Sequence, residues 1–149
     1  MSFYYAFEGI IGAVRRETHL RFHIMIAVLI MIFAYFFGIT KTEWAILLVD
    51  IGMVISAELI NTAIEKTVDT ATKDILPTAK LAKDAGAGAV LVLAIVSIFV
   101  GICLFGNLEK IKNTLILIFT TPTILIPCLI TGALLLAFVI FGGRNVKEL

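Results

Sequence analysis

Four polar side chains that could carry out a group transfer recur in one short segment, at Glu58, Asn61, Glu65 and Asp69. Their spacing of i, i+3, i+7 and i+11 places them on one face of a predicted helix, while most apolar residues between them lie elsewhere. Carboxylates of this kind can hold a divalent cation or take a proton from a hydroxyl group. The segment is therefore the first candidate for a catalytic site.

The depth of this face in a bilayer can be estimated from Trp44. If Trp44 marks the outer interface, about 20 residues at about 1.5 Å each reach the inner boundary near Ile64. Glu65 and Asp69 then lie at or beyond the cytoplasmic surface, and Glu58 lies roughly 9 Å inside it. A carboxylate at that depth is a functional candidate by default, and the alternative is a polar residue that holds helices together. An acid at the water line could bind a cation, and a deeper acid could take a proton from a lipid hydroxyl.

A second acidic ligand must come from another segment, and Glu17 is the expected donor because it precedes the first apolar run at the level of Glu65. The alternative for Glu17 is an ordinary i, i+4 partner of Arg21, worth about a few tenths of a kcal/mol. His19 and His23 also share a helix face and could pair on a metal. No HExxH motif is present and no third ligand is spaced with them, so we interpret both as interfacial polar residues.

Lys83 is a candidate for binding phosphate. It is expected at the N-terminus of a helix, where free N–H groups and the helix dipole favour anions. The alternative for the neighbouring Asp84 is a helix N-cap, which would not exclude a ligand role. The small residues around Gly86 are typical of close helix packing. The sequence contains no GxxxxGK loop, so a nucleotide would be held by something other than a P-loop.

The composition indicates the kind of scaffold that positions these residues. Of the 149 residues, 60% are hydrophobic and 15% are charged, whereas soluble domains average about 45–50% and about 25%. The mean hydropathy of +1.08 agrees with a membrane protein. This excludes a soluble enzyme, and a net charge of +1 offers no basic field for nucleic acid. Cys103 and Cys128 lie in apolar runs and are expected to be buried.

Four apolar stretches are candidate membrane spans, since a hydrocarbon core about 30 Å thick requires about 20 residues of helix. The last stretch is overlong for one straight helix and contains two prolines, so a kink or a partly interfacial start is expected. Within the second stretch, Asp50 is predicted to make a buried hydrogen bond between spans, the alternative being a proton path. The four stretches are 24–39, 44–65, 85–105 and 114–141.

The basic residues predict the orientation. They cluster before the first stretch, between the second and third, and after the fourth, so the positive-inside rule places both termini and the middle loop in the cytoplasm. Residues 2–16 carry an apolar stripe and are expected to form an amphipathic helix on the membrane surface or against the bundle. The residues that determine the orientation are Arg15, Arg16, Arg21, Lys66, Lys73, Lys80, Lys83, Arg144 and Lys147.

These motifs together resemble the small integral-membrane lipid kinases of bacteria, the diacylglycerol kinase and undecaprenol kinase family. The resemblance covers roughly residues 2–107, which would form the kinase domain. Residues 108–149 add a fourth hydrophobic segment to the three spans of a usual member. The matching motifs are Glu58-x-x-Asn61-Thr-Ala-Ile-Glu65-x-x-Val-Asp69, Ala82-Lys83-Asp84, Gly88-Ala-Val90, and the N-terminal Ser2-Phe3, Ala6-Phe7, Gly9, Glu17 and Arg21.

The resemblance implies an all-α membrane protein that phosphorylates a lipid hydroxyl with ATP and Mg²⁺ at the cytoplasmic face of the bacterial inner membrane. It also implies a homotrimer whose sites are shared between protomers. The stretch from His19 to His23 and the loop before Lys83 favour undecaprenol as substrate. The alternative is diacylglycerol, which would yield phosphatidic acid for phospholipid biosynthesis. An alternative of another class is a non-catalytic assembly or transporter subunit, but the acids cluster at one boundary, which favours an enzyme.

The resemblance also assigns roles by position. Glu58 would be the base and would contact the lipid together with Arg21. Glu17 and Glu65 would ligate the metal and so contact the nucleotide. The remaining residues would contact the γ-phosphate (Asn61), help to hold the nucleotide (Tyr5, Lys83 and Asp84) or support the site (Asp69).

Overall fold

The chain folds into six helices and no strand over the residues described by the computed structural model, 2–71 and 76–143. This confirms the predicted all-α class. Of the basic residues used to predict the orientation, Lys73, Arg144 and Lys147 lie outside the described residues. The helices are α1 (Ser2–Arg16), α2 (Thr18–Phe37), α3 (Lys41–Ala71), α4 (Pro77–Phe105), α5 (Leu108–Thr120) and α6 (Pro122–Phe141).

Four of these helices, α2, α3, α4 and α6, are long and apolar enough to cross a membrane. Many large apolar side chains on α4 and α6 point outward from the bundle. An apolar surface of this extent suits lipid rather than water. Cys103 lies on this outward surface of α4, so the expectation that it is buried was wrong, and Cys128 on α6 is half-buried.

The fourth apolar stretch is divided into two helices rather than merely kinked. Thr121 has an extended backbone, with φ −105° and ψ 101°, and Pro122 begins α6. A residue before proline disfavours the helical conformation, and proline is favoured in the first turn of a helix, so the sequence ends α5 and starts α6 here. The 13 residues of α5 are too few to span a bilayer, and α5 packs against α2 and α6.

The longest packing interface of the fold is between α3 and α4. The 31 residues of α3 form one uninterrupted helix, which carries the whole polar face from Glu58 to Asp69. Toward the Lys41 end of α3 the Ser97 hydroxyl donates a hydrogen bond of 3.0 Å to the Asp50 carboxylate, which confirms the hydrogen bond predicted between spans. This bond is a polar contact between two otherwise apolar parts of α3 and α4.

The N-terminal helix α1 contacts α2 and α3 with one side, and its apolar stripe is exposed on the other. Phe3, Phe7, Ile10 and Ile11 of the stripe are all exposed. An apolar stripe that the bundle leaves uncovered is typical of a helix lying on a membrane surface. The chain then turns at Glu17, whose extended backbone separates α1 from α2.

Candidate active site

Burial decreases along the polar face of α3. Glu58 and Asn61 are 5% and 8% exposed. Glu65 is half-buried and Asp69 is exposed. The gradient has the direction expected from the depth estimate, with the most enclosed carboxylate at Glu58 and the most accessible at Asp69. A partner in water would reach the far end of the face first.

Glu58 combines burial with the absence of a partner. Its carboxylate makes no hydrogen bond or ion pair with any residue that the structure describes. Enclosing an unpaired carboxylate costs free energy, which makes such a group a candidate for function rather than for stability. The Glu58 oxygens remain available to accept a proton or hydrogen bond from a bound molecule.

Asn61 and Glu65 form the centre of the face. The Asn61 Nδ2 donates to Glu65 Oε1 at 3.1 Å. The other end of the amide, Oδ1, is buried and has no hydrogen-bond partner among the described residues. It lies over Gly86 of α4, where a Cβ atom would come within 2.6 Å of it. An unsatisfied buried carbonyl oxygen costs about 1–3 kcal/mol, so this atom is a second available acceptor held in place by its neighbours.

Lys83 of α4 contacts the exposed end of this face of α3, and it does not lie at a helix N-terminus as predicted. Its Nζ forms an ion pair of 2.9 Å with Asp69 Oδ1. The prediction that Lys83 marks a helix N-terminus was wrong, because α4 begins at Pro77, six residues earlier. Asp84 is likewise inside α4 and exposed, so it is not an N-cap. Proline is favoured in the first turn of a helix, which accounts for the start of α4 at Pro77.

Glu17 contacts α3 from the α1 side. Its Oε1 pairs with the Lys66 amine at 2.9 Å, and its side chain is 18% exposed. The partner is therefore Lys66 rather than Arg21, the alternative considered from the sequence. Because Lys66 directly follows Glu65, the pair places Glu17 at the level of Glu65, as predicted. The exposed Tyr5 lines a cleft of about 440 Å³ between α1 and α3 together with Glu17 and Lys66.

The candidate residues thus form two groups, on two sides of α3. One group lies between α3 and α4, and the other lies between α1 and α3. No hydrogen bond or ion pair joins the groups across the described part of the chain; the link is the adjacency of Glu65 and Lys66. The first group contains Asn61, Glu65, Asp69 and Lys83, with Glu58 on the same face of α3 by helical spacing, and the second contains Tyr5, Glu17 and Lys66.

Glu17 and Glu65, the predicted metal ligands, lie in different groups within one chain. No cluster of three or more His, Cys, Asp or Glu side chains capable of holding a metal occurs in the described ranges. His19 is exposed, and the rings of His23 and Phe22 form an edge-to-face pair. Mg²⁺ is usually held by one or two carboxylates together with phosphate oxygens, so three acidic ligands are not required. Glu17 and Glu65 provide hard oxygen donors of the required kind.

Arg21 is 3% exposed and its guanidinium is used within the chain. Its Nη1 donates to the carbonyl oxygens of Val14 and Arg15 at 2.9 and 3.0 Å. Its Nη2 donates to Thr18 Oγ1, and its Nε donates to the Val139 carbonyl oxygen at 3.2 Å. No sequence signal pointed to Val139, because it lies 118 residues away in the added segment.

Comparison with known proteins places these residues in a family. The family model Prokaryotic diacylglycerol kinase matches residues 4–105, which end where α4 ends. The undecaprenol kinase of Bacillus subtilis is 42% identical over 104 residues, covering 70% of this chain and 85% of that protein. The diacylglycerol kinase of Synechocystis is 36% identical over 105 residues, covering 70% of this chain and 60% of that protein.

The diacylglycerol kinase of Haemophilus influenzae is 31% identical over 102 residues, covering 68% of this chain and 80% of that protein. No solved structure gives a significant match. The matched region contains every candidate residue described above and leaves out only α5 and α6 among the helices. The chain therefore belongs to the prokaryotic diacylglycerol kinase family, and it is a lipid kinase.

Proposed function

We propose that the protein transfers the γ-phosphoryl group of ATP to the hydroxyl of undecaprenol, giving undecaprenyl phosphate. The observation that supports this most is the unpaired carboxylate of Glu58, buried at the inner end of a polar face that leads out to Asp69. A lipid hydroxyl has to be reached within the bilayer, whereas ATP arrives from water. A polar face that connects the two depths meets both requirements.

In this mechanism the protein mainly positions the two substrates and stabilises charge. Glu58 accepts the proton of the lipid hydroxyl as the hydroxyl oxygen attacks the γ-phosphorus, and the bond to the β–γ bridging oxygen breaks to release ADP. Asn61 orients the γ-phosphate, and Lys83 offsets negative charge on the phosphates once it leaves Asp69. Tyr5 and Asp84 contact the remainder of the nucleotide. Glu17 and Glu65 would hold Mg²⁺, which when bound neutralises phosphate charge.

The choice of lipid is supported by the relatives' names. Undecaprenol kinase is the name of the relative that is 42% identical, and diacylglycerol kinase is the name of those at 36% and 31%. Diacylglycerol is therefore the second candidate substrate. We expect the purified protein in mixed micelles to transfer labelled γ-phosphate to undecaprenol with a higher kcat/KM than to diacylglycerol. A reversed preference would assign the chain to the diacylglycerol branch, and transfer to neither lipid would contradict the proposal.

We further propose that the kinase domain spans residues 1–107, that both termini and the site face the cytoplasm, and that the working unit is a homotrimer with shared sites. The separation of Glu17 and Tyr5 from Asn61 and Lys83 within one chain supports sharing, since a neighbouring protomer could bring the two groups together. Mixing Glu17→Gln and Glu58→Gln protomers, at a Mg²⁺ concentration too low for Glu17→Gln to turn over, should restore part of the activity if sites are shared. Mixtures that stay as inactive as either variant would contradict it.

A further inference from the structure

The added segment α5–α6 is fastened to both ends of α2. At one end of α2, the Lys110 amine of α5 donates to the Gly38 carbonyl oxygen at 3.1 Å and lies 4.3 Å from the centre of the Phe37 ring. At the other end, Arg21 donates to the carbonyl oxygen of Val139 in the last turn of α6. The segment is thus attached to the kinase region by specific polar contacts at two separate levels.

The Arg21 side chain caps the C-terminal ends of two helices. The last four carbonyl groups of a helix have no partner within the helix, and the negative end of the helix dipole lies there. The guanidinium satisfies Val14 and Arg15 at the end of α1 and Val139 at the end of α6. With Thr18 included, four of its five N–H groups donate hydrogen bonds inside the protein. Arg21 therefore ties α1, α2 and α6 together.

Glu17 lies at the centre of this arrangement. It is the single residue between α1 and α2, and its extended backbone makes the corner. Arg21 holds the chain on both sides of the corner, because its side chain binds Val14 and Arg15 and its backbone N–H donates to the Glu17 carbonyl oxygen at 3.3 Å. Arg21 therefore fixes the backbone on both sides of Glu17, from which the Glu17 carboxylate extends to Lys66.

We propose that Arg21 is a positioning residue for Glu17 and that the C-terminal end of α6 holds Arg21 in place, so that the added fourth span sets the geometry of the metal site. The inference rests on the proposed role of Glu17 as a metal ligand. It assigns the added segment a function in the kinase reaction and gives Arg21 a role other than lipid contact.

The fit between α6 and Arg21 is close enough to be tested from the α6 side. A Cβ atom on Gly142 would lie 2.9 Å from Arg21 Cδ and 3.3 Å from Nε, and would also collide with the Phe138 carbonyl oxygen. Gly142→Ala must therefore move the Arg21 side chain or the end of α6, and either shift disturbs the contact between them. Gly106→Ala is the matched control, because its Cβ would collide with the Ile102 carbonyl oxygen at the end of α4 and would meet no other residue within 4 Å.

The experiment uses the full chain in lipid micelles and measures the Mg²⁺ concentration that half-saturates both turnover and binding of a non-hydrolysable ATP analogue. We expect Gly142→Ala to raise this concentration about tenfold in both assays, as for loss of a group that orients a metal ligand, with the KM for the lipid unchanged. Gly106→Ala should behave like the unmodified protein. An unchanged Mg²⁺ requirement, or a raised lipid KM alone, would overturn the proposal.

Arg21→Lys tests the same contact from the other side. Lysine keeps the charge but not the planar fork that reaches three helices, so we expect the same rise in the Mg²⁺ requirement. If Arg21→Lys has the Mg²⁺ requirement of the unmodified protein, the planar guanidinium is not needed and the inference fails. Glu17→Gln separates the proposed ligand role of Glu17 from the positioning role of Arg21 and α6. A normal Mg²⁺ requirement in this variant would refute Glu17 as a ligand. A defect in Glu17→Gln but not in Gly142→Ala would refute only the role of α6.

Discussion

The amide oxygen of Asn61 occupies the space that a side chain on Gly86 would take, 2.6 Å from the position of a Cβ atom. The glycine is needed here for close approach and not for an unusual backbone, since it lies within the regular helix α4. Its lack of a side chain lets α4 come close enough to enclose the amide. The burial of the Asn61 acceptor depends on this approach, while its amide nitrogen bonds Glu65 within α3.

Gly86→Ala should therefore damage the site more than a glycine substitution elsewhere in the same helix. The added methyl forces the Asn61 amide away from Gly86 or α4 away from α3, and overpacking of this kind costs about 1–3 kcal/mol. We expect a loss of kcat of about tenfold or more. Gly88→Ala is the control, because a Cβ there would meet nothing within 4 Å. Equal activity of the two variants in the transfer assay would contradict this prediction.

Features that depend on helical periodicity were predictable from the sequence. The four polar residues from Glu58 to Asp69 share one helix because 3.6 residues per turn brings them to one face, and α3 is continuous through all of them. Asp50 was expected to bond across to another span, because a carboxylate within an apolar helix requires a partner, and Ser97 provides it.

Features that depend on contacts between distant segments were not predictable. The partner of Glu17 is Lys66, 49 residues away, and helical spacing suggested Arg21 instead. Arg21 itself binds Val139, and no local pattern connects a basic residue before one span with the end of another. The start of α4 was also misplaced, because it lies at Pro77, where proline is favoured in the first turn, and not at Lys83.

Substitutions of Glu17 and Lys66 should affect the Mg²⁺ requirement differently. Glu17→Gln removes a proposed ligand and should raise the Mg²⁺ concentration needed for half-maximal turnover, as should Glu65→Gln. Lys66→Gln removes the cation that now pairs with Glu17 at 2.9 Å, so the Mg²⁺ requirement should fall or stay the same. Mg²⁺ titrations of the three variants provide the comparison. A raised requirement in Lys66→Gln alone would contradict the assignment.

The bond between Asp50 and Ser97 should contribute to stability and not to chemistry. Ser97→Ala leaves a half-buried carboxylate without its partner, which should lower the free energy of unfolding by about 1–3 kcal/mol. Activity below the unfolding temperature should be retained. Ser56→Ala, at an exposed position of α3, is the control and should unfold normally. Thermal unfolding in micelles measures the difference, and unchanged stability of Ser97→Ala would refute the role.

The topology can be tested with reporters fused at two positions. If both termini are cytoplasmic, a reporter active only in the cytoplasm should be active after Leu149 and silent after Asn107, between α4 and α5. A fusion after Asn107 samples the opposite side because α6 is the only described helix after it that is long enough to span. Activity at Asn107 together with silence at Leu149 would invert the proposed orientation.

Substitutions of Glu58 and Asn61 should affect catalysis and nucleotide binding separately. Glu58→Gln keeps the size of the side chain but removes the proton acceptor, so kcat should fall by about 10²–10⁴-fold while the affinity for Mg–ATP stays nearly constant. Asn61→Ala should weaken ATP more than ADP, because only ATP has the γ-phosphate. A nucleotide titration beside the transfer assay distinguishes them. Loss of ATP binding in Glu58→Gln would move this residue to the nucleotide site, and full activity would leave it a structural role between helices.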